Sequence, residues 1–318
     1  MRGLLVFWAT LLTLLAGGAG VLQLLGPPTP ARPAAAAIVR AIAHPAPTGP
    51  AAPDQALTVA WSADPTSFLP RIAADGRRPM SYYAAPAHIP AGAKTIALLI
   101  DGMGLSQSVS LTAIKQLPAA VSFAFSPYSA DAAPLLDAAR AAGHEYLISL
   151  PLEPADFPLA DEGSHALMVG HDPPANLLNL EWTLSRIQGY VGVTGALDGM
   201  RGEAFLRADD LYASLQNQLN QRGLLFIDAR PGSASPAAVP GRGVDLAIDD
   251  PPDAASIDTK LAALLTQAQT RGSALGLAGP LRPVTLAHLK AWIALLPSHG
   301  IVLVPVSSLV ANGAEGNK

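Results

Sequence analysis

The chain of 318 residues has no cysteine, few aromatic residues and few charges. Without cysteine it has no disulfide framework, no thiolate metal site and no cysteine nucleophile. Only 14% of the residues are charged and the net charge is −4, so the basic surface that nucleic-acid binding requires is missing. Half of the residues are apolar, which is enough for a large core. The composition therefore indicates a globular protein without a nucleic-acid partner.

The amino terminus carries an apolar stretch, residues 4–25, which Arg2 precedes. Its length is sufficient to cross the hydrocarbon core of a bilayer. One interpretation is an uncleaved signal anchor with its amino terminus inside, and the other is a signal peptide cleaved near residues 18–20. Either interpretation predicts export. We expect a bacterial protein anchored in the inner membrane with its domain in the periplasm, or secreted to the periplasm if the segment is cleaved.

Shifts in composition divide the chain into four parts. Residues 1–25 form the apolar N-terminal helix, and residues 26–93 combine a Pro/Ala-rich tether with an arm that carries enough apolar residues to pack on a domain. Residues 94–310 form the domain itself, and residues 311–318 are a tail.

From residue 94 onward, short apolar strands alternate with helices that end at glycine or proline. Repeated strand–helix units predict a parallel sheet covered by helices. Seven or eight such units favour closure, so we predict an α/β fold built as a (β/α)7–8 barrel. Late strands are predicted at 244–248 and 301–305, the second of which would place residues 306–308 at the same face as the other strand ends.

Polar residues recur where the predicted strands end, which is where active sites of parallel barrels lie. Five of them are carboxylates, with one arginine as a counter-charge and two further polar residues: Asp101, Glu153, Asp228, Asp249 and Asp250, then Arg230, Tyr128 and Ser149. An aspartate after a strand also serves as the N-cap of the next helix, so each carboxylate alone has a structural explanation. Together they predict an acidic site at one face of the barrel.

Seven segments in a fixed order resemble the divergent polysaccharide deacetylase family, a distant branch of the NodB-like carbohydrate esterases. They are IALLIDGMG (96–104), LPAAVSFAFSPY (117–128), AAGHEYLISLPLEP (141–154), YVGVTGALDG (190–199), GLLFIDAR (223–230), DLAIDD (245–250) and GLAGPLRPVTL (276–286). The resemblance covers about 94–310 and implies a distorted barrel of the glycoside hydrolase/deacetylase type.

Active relatives, the resemblance implies, remove N-acetyl groups from glycans with a divalent metal, usually zinc, held by an aspartate and two histidines. Asp101 occupies the position of the general base. The metal-ligand aspartate is replaced by Gly102, and the histidines that the family motifs carry are replaced by Ser149, Ala196 and Gly279. Without imidazole the strand ends lack the usual ligands of zinc. We therefore assign no metal ligand and no cofactor, although the family implies zinc.

The surviving residues receive roles by position. Asp101, Glu153, Asp228 and Arg230 are predicted to be catalytic, and Tyr128, Ser149, Asp249 and Asp250 are predicted to bind substrate. A displaced metal site in the loop after Glu153, at His165 and His171, remains open.

Three functions are consistent with the sequence. The first is a cell-envelope protein that binds an N-acetylated glycan or a peptidoglycan-like polysaccharide with weak or no metal-dependent deacetylation, a pseudoenzyme. The second is an active hydrolase or deacetylase that uses Asp101, Glu153 and Asp228. The third is a structural envelope protein that binds a protein partner.

Overall fold

The structure, a computed structural model, describes residues 50–315. No helix within this range is long and apolar enough to cross a membrane. The N-terminal helix predicted at 1–25 and the first part of the tether lie outside the described residues.

Eleven strands and nine helices follow one another in the described range. The strands are β1 (Thr58–Ala60), β2 (Phe68–Pro70), β3 (Lys94–Met103), β4 (Ser122–Phe125), β5 (Tyr146–Ser149), β6 (Gly192–Thr194), β7 (Leu225–Asp228), β8 (Gly241–Gly243), β9 (Leu246–Ala247), β10 (Ser273–Ala278) and β11 (Ile301–Leu303). The helices are α1 (Pro79–Tyr82), α2 (Gln107–Gln116), α3 (Ala133–Ala141), α4 (Pro173–Ser185), α5 (Glu203–Arg207), α6 (Asp209–Gln221), α7 (Ala254–Arg271), α8 (Pro283–Ile293) and α9 (Val306–Glu315).

The main sheet is parallel and curls into a barrel. Its order is β8-β7-β6-β5-β4-β3-β10-β9. Its two end strands belong to one segment, because only residues 244 and 245 separate β8 from β9. The first half of this segment pairs with β7 and the second half pairs with β10. The predicted α/β barrel is confirmed, and the strand predicted at 244–248 is replaced by this bent segment, which starts at residue 241.

Apolar side chains alternate between two cores along the strands. On β3, Ala97 and Leu99 belong to the inner cluster, whereas Ile96, Leu98 and Ile100 pack outward toward the helices. Both faces of the strands are buried, as is typical of a parallel sheet covered by helices. The alternation matters for the site, because it decides which strand-end side chains point into the barrel.

The amino-terminal end of the barrel is closed by the arm and the carboxyl-terminal helix. Tyr83 of the arm and Leu309 of α9 are buried in the inner cluster. The fully buried Glu145, just before β5, accepts hydrogen bonds from the backbone of Ala85, from Ser122 and from Ser307. The prediction that residues 306–308 lie at the catalytic face is wrong. β11 pairs only with the first residues of β3 and therefore ends at the opposite side of the barrel.

Candidate functional site at the carboxyl end of the barrel

Asp101 lies at the carboxyl end of β3 and points into the barrel. It shares the inward alternation of Ala97 and Leu99, and it is 2% exposed. One carboxylate oxygen accepts hydrogen bonds from the backbone N–H of Gly102 at 2.6 Å and from the Ser149 hydroxyl at 3.4 Å. The other accepts the backbone N–H of Gly199 at 3.3 Å. No arginine, lysine or histidine of the described residues forms an ion pair with it.

Burial raises the pKa of Asp101 to about 6, and the nearby charge of Asp198 acts in the same direction. The hydrogen bonds from Gly199, Gly102 and Ser149 favour the ionised form and oppose this shift. A carboxyl group with a pKa near neutral accepts a proton readily around pH 7, as a general base must.

Asp249 lies two residues after β9 and lines the same small cavity as Asp101. Its carboxylate accepts hydrogen bonds from the backbone N–H of Gly279 and from the hydroxyl of Thr285. Burial raises its pKa. Asp101, Asp249, Gly279 and Arg201 line a cavity of about 10 Å³, which is room for about one water molecule. The structure therefore brings Asp101, Ser149 and Asp249 together inside the barrel mouth.

Gly279 allows the close approach of β10 to Asp101. Its φ is +141°, and a Cβ at this position would lie 2.6 Å from the backbone oxygen of Asp101. Only glycine fits such a position without displacement of the neighbouring strand.

Asp228 and Arg230 lie outside the barrel interior. Asp228 lies two residues after Phe226 on β7, and Phe226 belongs to the outer core. Because side chains alternate along a strand, the Asp228 side chain also points away from the barrel interior, toward α6. Arg230 forms an ion pair with it through Nε and Nη2, with a shortest distance of 2.6 Å, and also donates to the backbone oxygen of Leu206. The Tyr212 hydroxyl completes the group at 3.4 Å. In the part of the chain that the structure describes, neither residue hydrogen-bonds to Asp101.

Glu153 and Asp250 are engaged in other contacts. One carboxylate oxygen of Glu153 accepts the backbone N–H of Val169, and its backbone oxygen accepts the N–H groups of Ala204 and Phe205 at the start of α5. Glu153 thus ties the loop after β5 to α5. Asp250 is exposed and forms an ion pair with Arg201 at 2.8 Å.

The long loop after β5, residues 153–172 and here called the mouth loop, carries a buried acidic residue that the sequence did not indicate. Glu162 is 3% exposed, and neither of its carboxyl oxygens has a hydrogen-bond partner in the described residues. Burial is the main cause that raises its pKa to about 10, and the charges of Asp101, Glu203, Asp198 and Asp161 act in the same direction. The length of the loop was the available signal, because long loops in compact domains are often functional.

Tyr128 contacts the mouth loop rather than the barrel interior. Its hydroxyl lies 3.4 Å from the backbone nitrogen of His165 and against Gly163. The ring of His165 stacks on Trp182 of α4 with a centroid distance of 3.7 Å, and the guanidinium of Arg186 lies 5.1 Å from the Trp182 centroid. These contacts hold the mouth loop on α4.

The zinc that the resemblance implies does not fit the residues present. The positions of its ligands hold Gly102, Ser149, Ala196 and Gly279, none of which supplies an imidazole or a carboxylate. Within residues 50–315, no three histidine or acidic residues are arranged to hold a metal ion. His165, one of the two histidines of the predicted displaced metal site, is stacked on Trp182.

The family model described as "Divergent polysaccharide deacetylase" matches residues 98–310. The crystal structure of an uncharacterized protein, ATU2773 of Agrobacterium tumefaciens C58, is 31% identical and has a TM-score of 0.69. The match covers 76% of this chain and 99% of that one. An uncharacterized protein of Haemophilus influenzae is 25% identical over 224 residues, 68% of this chain and 77% of its own length.

A more distant likeness is to the catalytic domain of a peptidoglycan N-acetylglucosamine deacetylase from Eubacterium rectale. It has 15% identity and a TM-score of 0.45, and the match covers 70% of this chain and 92% of that one. A likeness of this size says nothing about the chemistry of the present chain.

Proposed function

The chain belongs to the divergent polysaccharide deacetylase family, and we propose that it binds a polysaccharide of the bacterial cell envelope at the mouth of its barrel, with weak or no zinc-dependent deacetylation. The ligand would be an N-acetylated glycan or a peptidoglycan-like polymer. The domain would stand in the periplasm, held at the inner membrane by residues 1–25 or released there after cleavage.

One observation carries this proposal: the barrel mouth holds buried carboxyl groups that have no cationic partner among the described residues. The Asp101 carboxylate accepts hydrogen bonds from two backbone N–H groups and a serine, and the carboxyl oxygens of Glu162 have no hydrogen-bond partner within residues 50–315. Buried carboxyl groups without partners are costly, and they are retained where a ligand supplies the missing donors. The hydroxyl groups of a sugar are such donors.

The pKa of Asp101 favours a second candidate function, a hydrolase that uses carboxyl groups instead of zinc. Asp101 would be the base, acting on a water in the adjoining cavity, which is of the right size for one molecule. Glu153 and Asp228, which the sequence predicts to be catalytic, would then act as positioning residues, because each is held by its own contacts.

The test uses the full-length protein purified in detergent. Calorimetry with peptidoglycan fragments and N-acetylglucosamine oligomers measures binding, acetate release measures deacetylation, and elemental analysis measures zinc. We expect binding of at least one oligomer, at least tenfold weaker binding by Asp101→Ala, and no stoichiometric zinc. Asp137→Asn, which removes an exposed carboxylate from α3, is the control and should bind like the parent.

The other outcomes separate the candidates. If no oligomer binds, the binding proposal is wrong. Stoichiometric zinc with acetate release, both lost in Asp101→Ala, would show a working metal enzyme. Acetate release by the zinc-free protein, lost in the Asp101→Asn variant, would support the hydrolase that uses carboxyl groups.

A further inference from the structure

A cavity of about 440 Å³ lies among the outer helices, between α4 and α6, and is here called the α4–α6 cavity. Its volume is in the range of sites that bind small molecules. Leu177 of α4 stands at its rim and is 38% exposed. Its floor consists of four buried apolar side chains: Leu167 of the mouth loop, Leu180 of α4, Phe205 of α5 and Leu215 of α6. The α4–α6 cavity is therefore open to solvent at the top and apolar at the bottom.

A second cavity of similar volume, about 450 Å³, has a different lining. It lies beside α3, and Asp131, Asp137, Arg140 and Arg186 are among its lining residues. Among the described residues that line the α4–α6 cavity, none is an arginine, a lysine or a histidine, and the acidic one is Asp210. The α4–α6 cavity thus offers no cation to an anionic ligand, and the carboxylate of Asp210 repels one.

The polar groups of the α4–α6 cavity decide which part of a ligand enters it. Asn176 is buried, but its amide is occupied: Oδ1 accepts the backbone N–H of Met168 and Nδ2 donates to the Met168 backbone oxygen, both at 2.9 Å. No buried side-chain nitrogen or oxygen of the described lining residues lacks a hydrogen-bond partner. A polar group at the floor would find no partner, and its burial would be costly. The part of a ligand that reaches the floor is therefore a hydrocarbon.

Two floor residues of the α4–α6 cavity are hydrogen-bonded to Glu153, the first residue of the mouth loop. The backbone N–H of Glu153 donates to the backbone oxygen of Leu167 at 3.0 Å, and the backbone oxygen of Glu153 accepts the N–H of Phe205 at 3.2 Å. The cavity therefore adjoins the start of the mouth loop, and a ligand that fills it packs against residues that hold this loop in place.

We propose that the α4–α6 cavity is a second binding site, separate from the barrel mouth, and that it binds the hydrocarbon chain of an uncharged glycolipid. At the rim, α6 presents the exposed Ser214 and the half-buried Gln218. A hydroxyl and a side-chain amide both donate and accept hydrogen bonds, as the hydroxyl groups of a sugar also do. The apolar floor thus matches the chain, and the rim without a cation matches a neutral sugar head rather than a carboxylate or a phosphate.

Photo-cross-linking of the full-length protein in detergent-free phosphatidylcholine nanodiscs tests this proposal. The probe is octyl glucoside with a diazirine at the end of its chain, and mass spectrometry of the labelled peptides locates the reaction. We expect label in α4 and α6. Leu177→Trp places a large side chain at the rim and should lower this labelling about tenfold. Ser214→Trp obstructs the rim from α6 and should act in the same way, so it decides the matter if Leu177→Trp does not fold.

Leu178→Trp is the matched control, because Leu178 is the next residue of α4, is 51% exposed and does not line the cavity. It should be labelled like the parent, and circular dichroism checks that each variant is folded. Equal loss of label in Leu177→Trp and Leu178→Trp, or label of the parent outside α4 and α6, overturns the proposal. Stronger labelling by an octanoate probe with the same diazirine overturns the uncharged head group. Glycan binding at the mouth is measured separately with soluble oligomers, so it stands or fails independently of these outcomes.

Discussion

Asp101 and Asp228 both end a barrel strand, yet the structure places them in opposite environments. Asp228 points outward and is neutralised by Arg230, with the Tyr212 hydroxyl as a further contact. Asp101 points inward, and no described cation forms an ion pair with it. The same residue type at equivalent ends of strands therefore stabilises the fold on one side of the barrel and remains available to a ligand on the other.

The difference follows from the directions in which the Asp101 and Asp228 side chains point. A buried carboxylate with its own bidentate arginine has its hydrogen-bonding capacity filled within the protein. A buried carboxylate without one destabilises the folded state until something else binds. The unpaired carboxyl groups of the mouth are thus the better indicator of function, and the following variants test that distinction.

The largest effect is expected when Asp228 loses the arginine that pairs with it. Arg230→Met leaves the Asp228 carboxylate, whose side chain is 1% exposed, without its partner. We expect the free energy of unfolding to fall by about 3–5 kcal/mol, as measured by urea denaturation. Asp250→Asn breaks an ion pair whose carboxylate is 62% exposed, and should change stability by less than about 1 kcal/mol. Equal effects of the two variants would contradict the comparison.

A smaller effect is expected where β10 approaches Asp101. In Gly279→Ala, the added methyl group would meet the backbone of Asp101 at 2.6 Å. We expect a loss of about 2–3 kcal/mol of stability, with weaker glycan binding because Asp101 is displaced. Gly272→Ala, also at positive φ but with nothing within 4 Å of the new Cβ, should cost only about 1 kcal/mol. A Gly279→Ala variant no less stable than Gly272→Ala would show that the site tolerates movement.

An effect of opposite sign is expected at Glu162. Its pKa in the folded protein, about 10, lies above the ordinary value of 4.5. Between these two values the unfolded chain binds fewer protons than the folded one, so Glu162 lowers stability progressively as the pH rises. Glu162→Gln should therefore be more stable than the parent at pH 8, and the gain should disappear near pH 4. Thermal unfolding across this range measures it, and a pH-independent difference would contradict the burial of an unpaired carboxyl group.

The alternation of strands and helices was predictable from the sequence, as was the position of Asp101, because glycine and proline mark the element ends clearly. The direction of Asp228 was not. Strand β7 reads Leu225-Phe226-Ile227-Asp228 and is buried on both faces. Without an alternation of polar and apolar residues, the sequence does not show which face points inward.

Glu162 and the bent segment that carries β8 and β9 could not be predicted, for other reasons. Glu162 lies in a loop without periodicity, where no pattern indicates which side chain is buried. The bend between β8 and β9 depends on distant partners: the backbone N–H of Asp245 donates to Leu275, and its carboxylate accepts the Leu275 N–H. Such long-range contacts leave no mark in local sequence.

The pairing of β3 has a consequence for how the chain acquires its structure during synthesis. β3 is made first among the barrel strands, but one of its edges stays open until β10 arrives, since Thr95 pairs with Ser273. Until then the nascent chain presents an apolar strand edge that is able to pair with other molecules. A product that ends before residue 273 would keep this edge exposed, so early termination is expected to yield aggregates rather than a smaller folded protein.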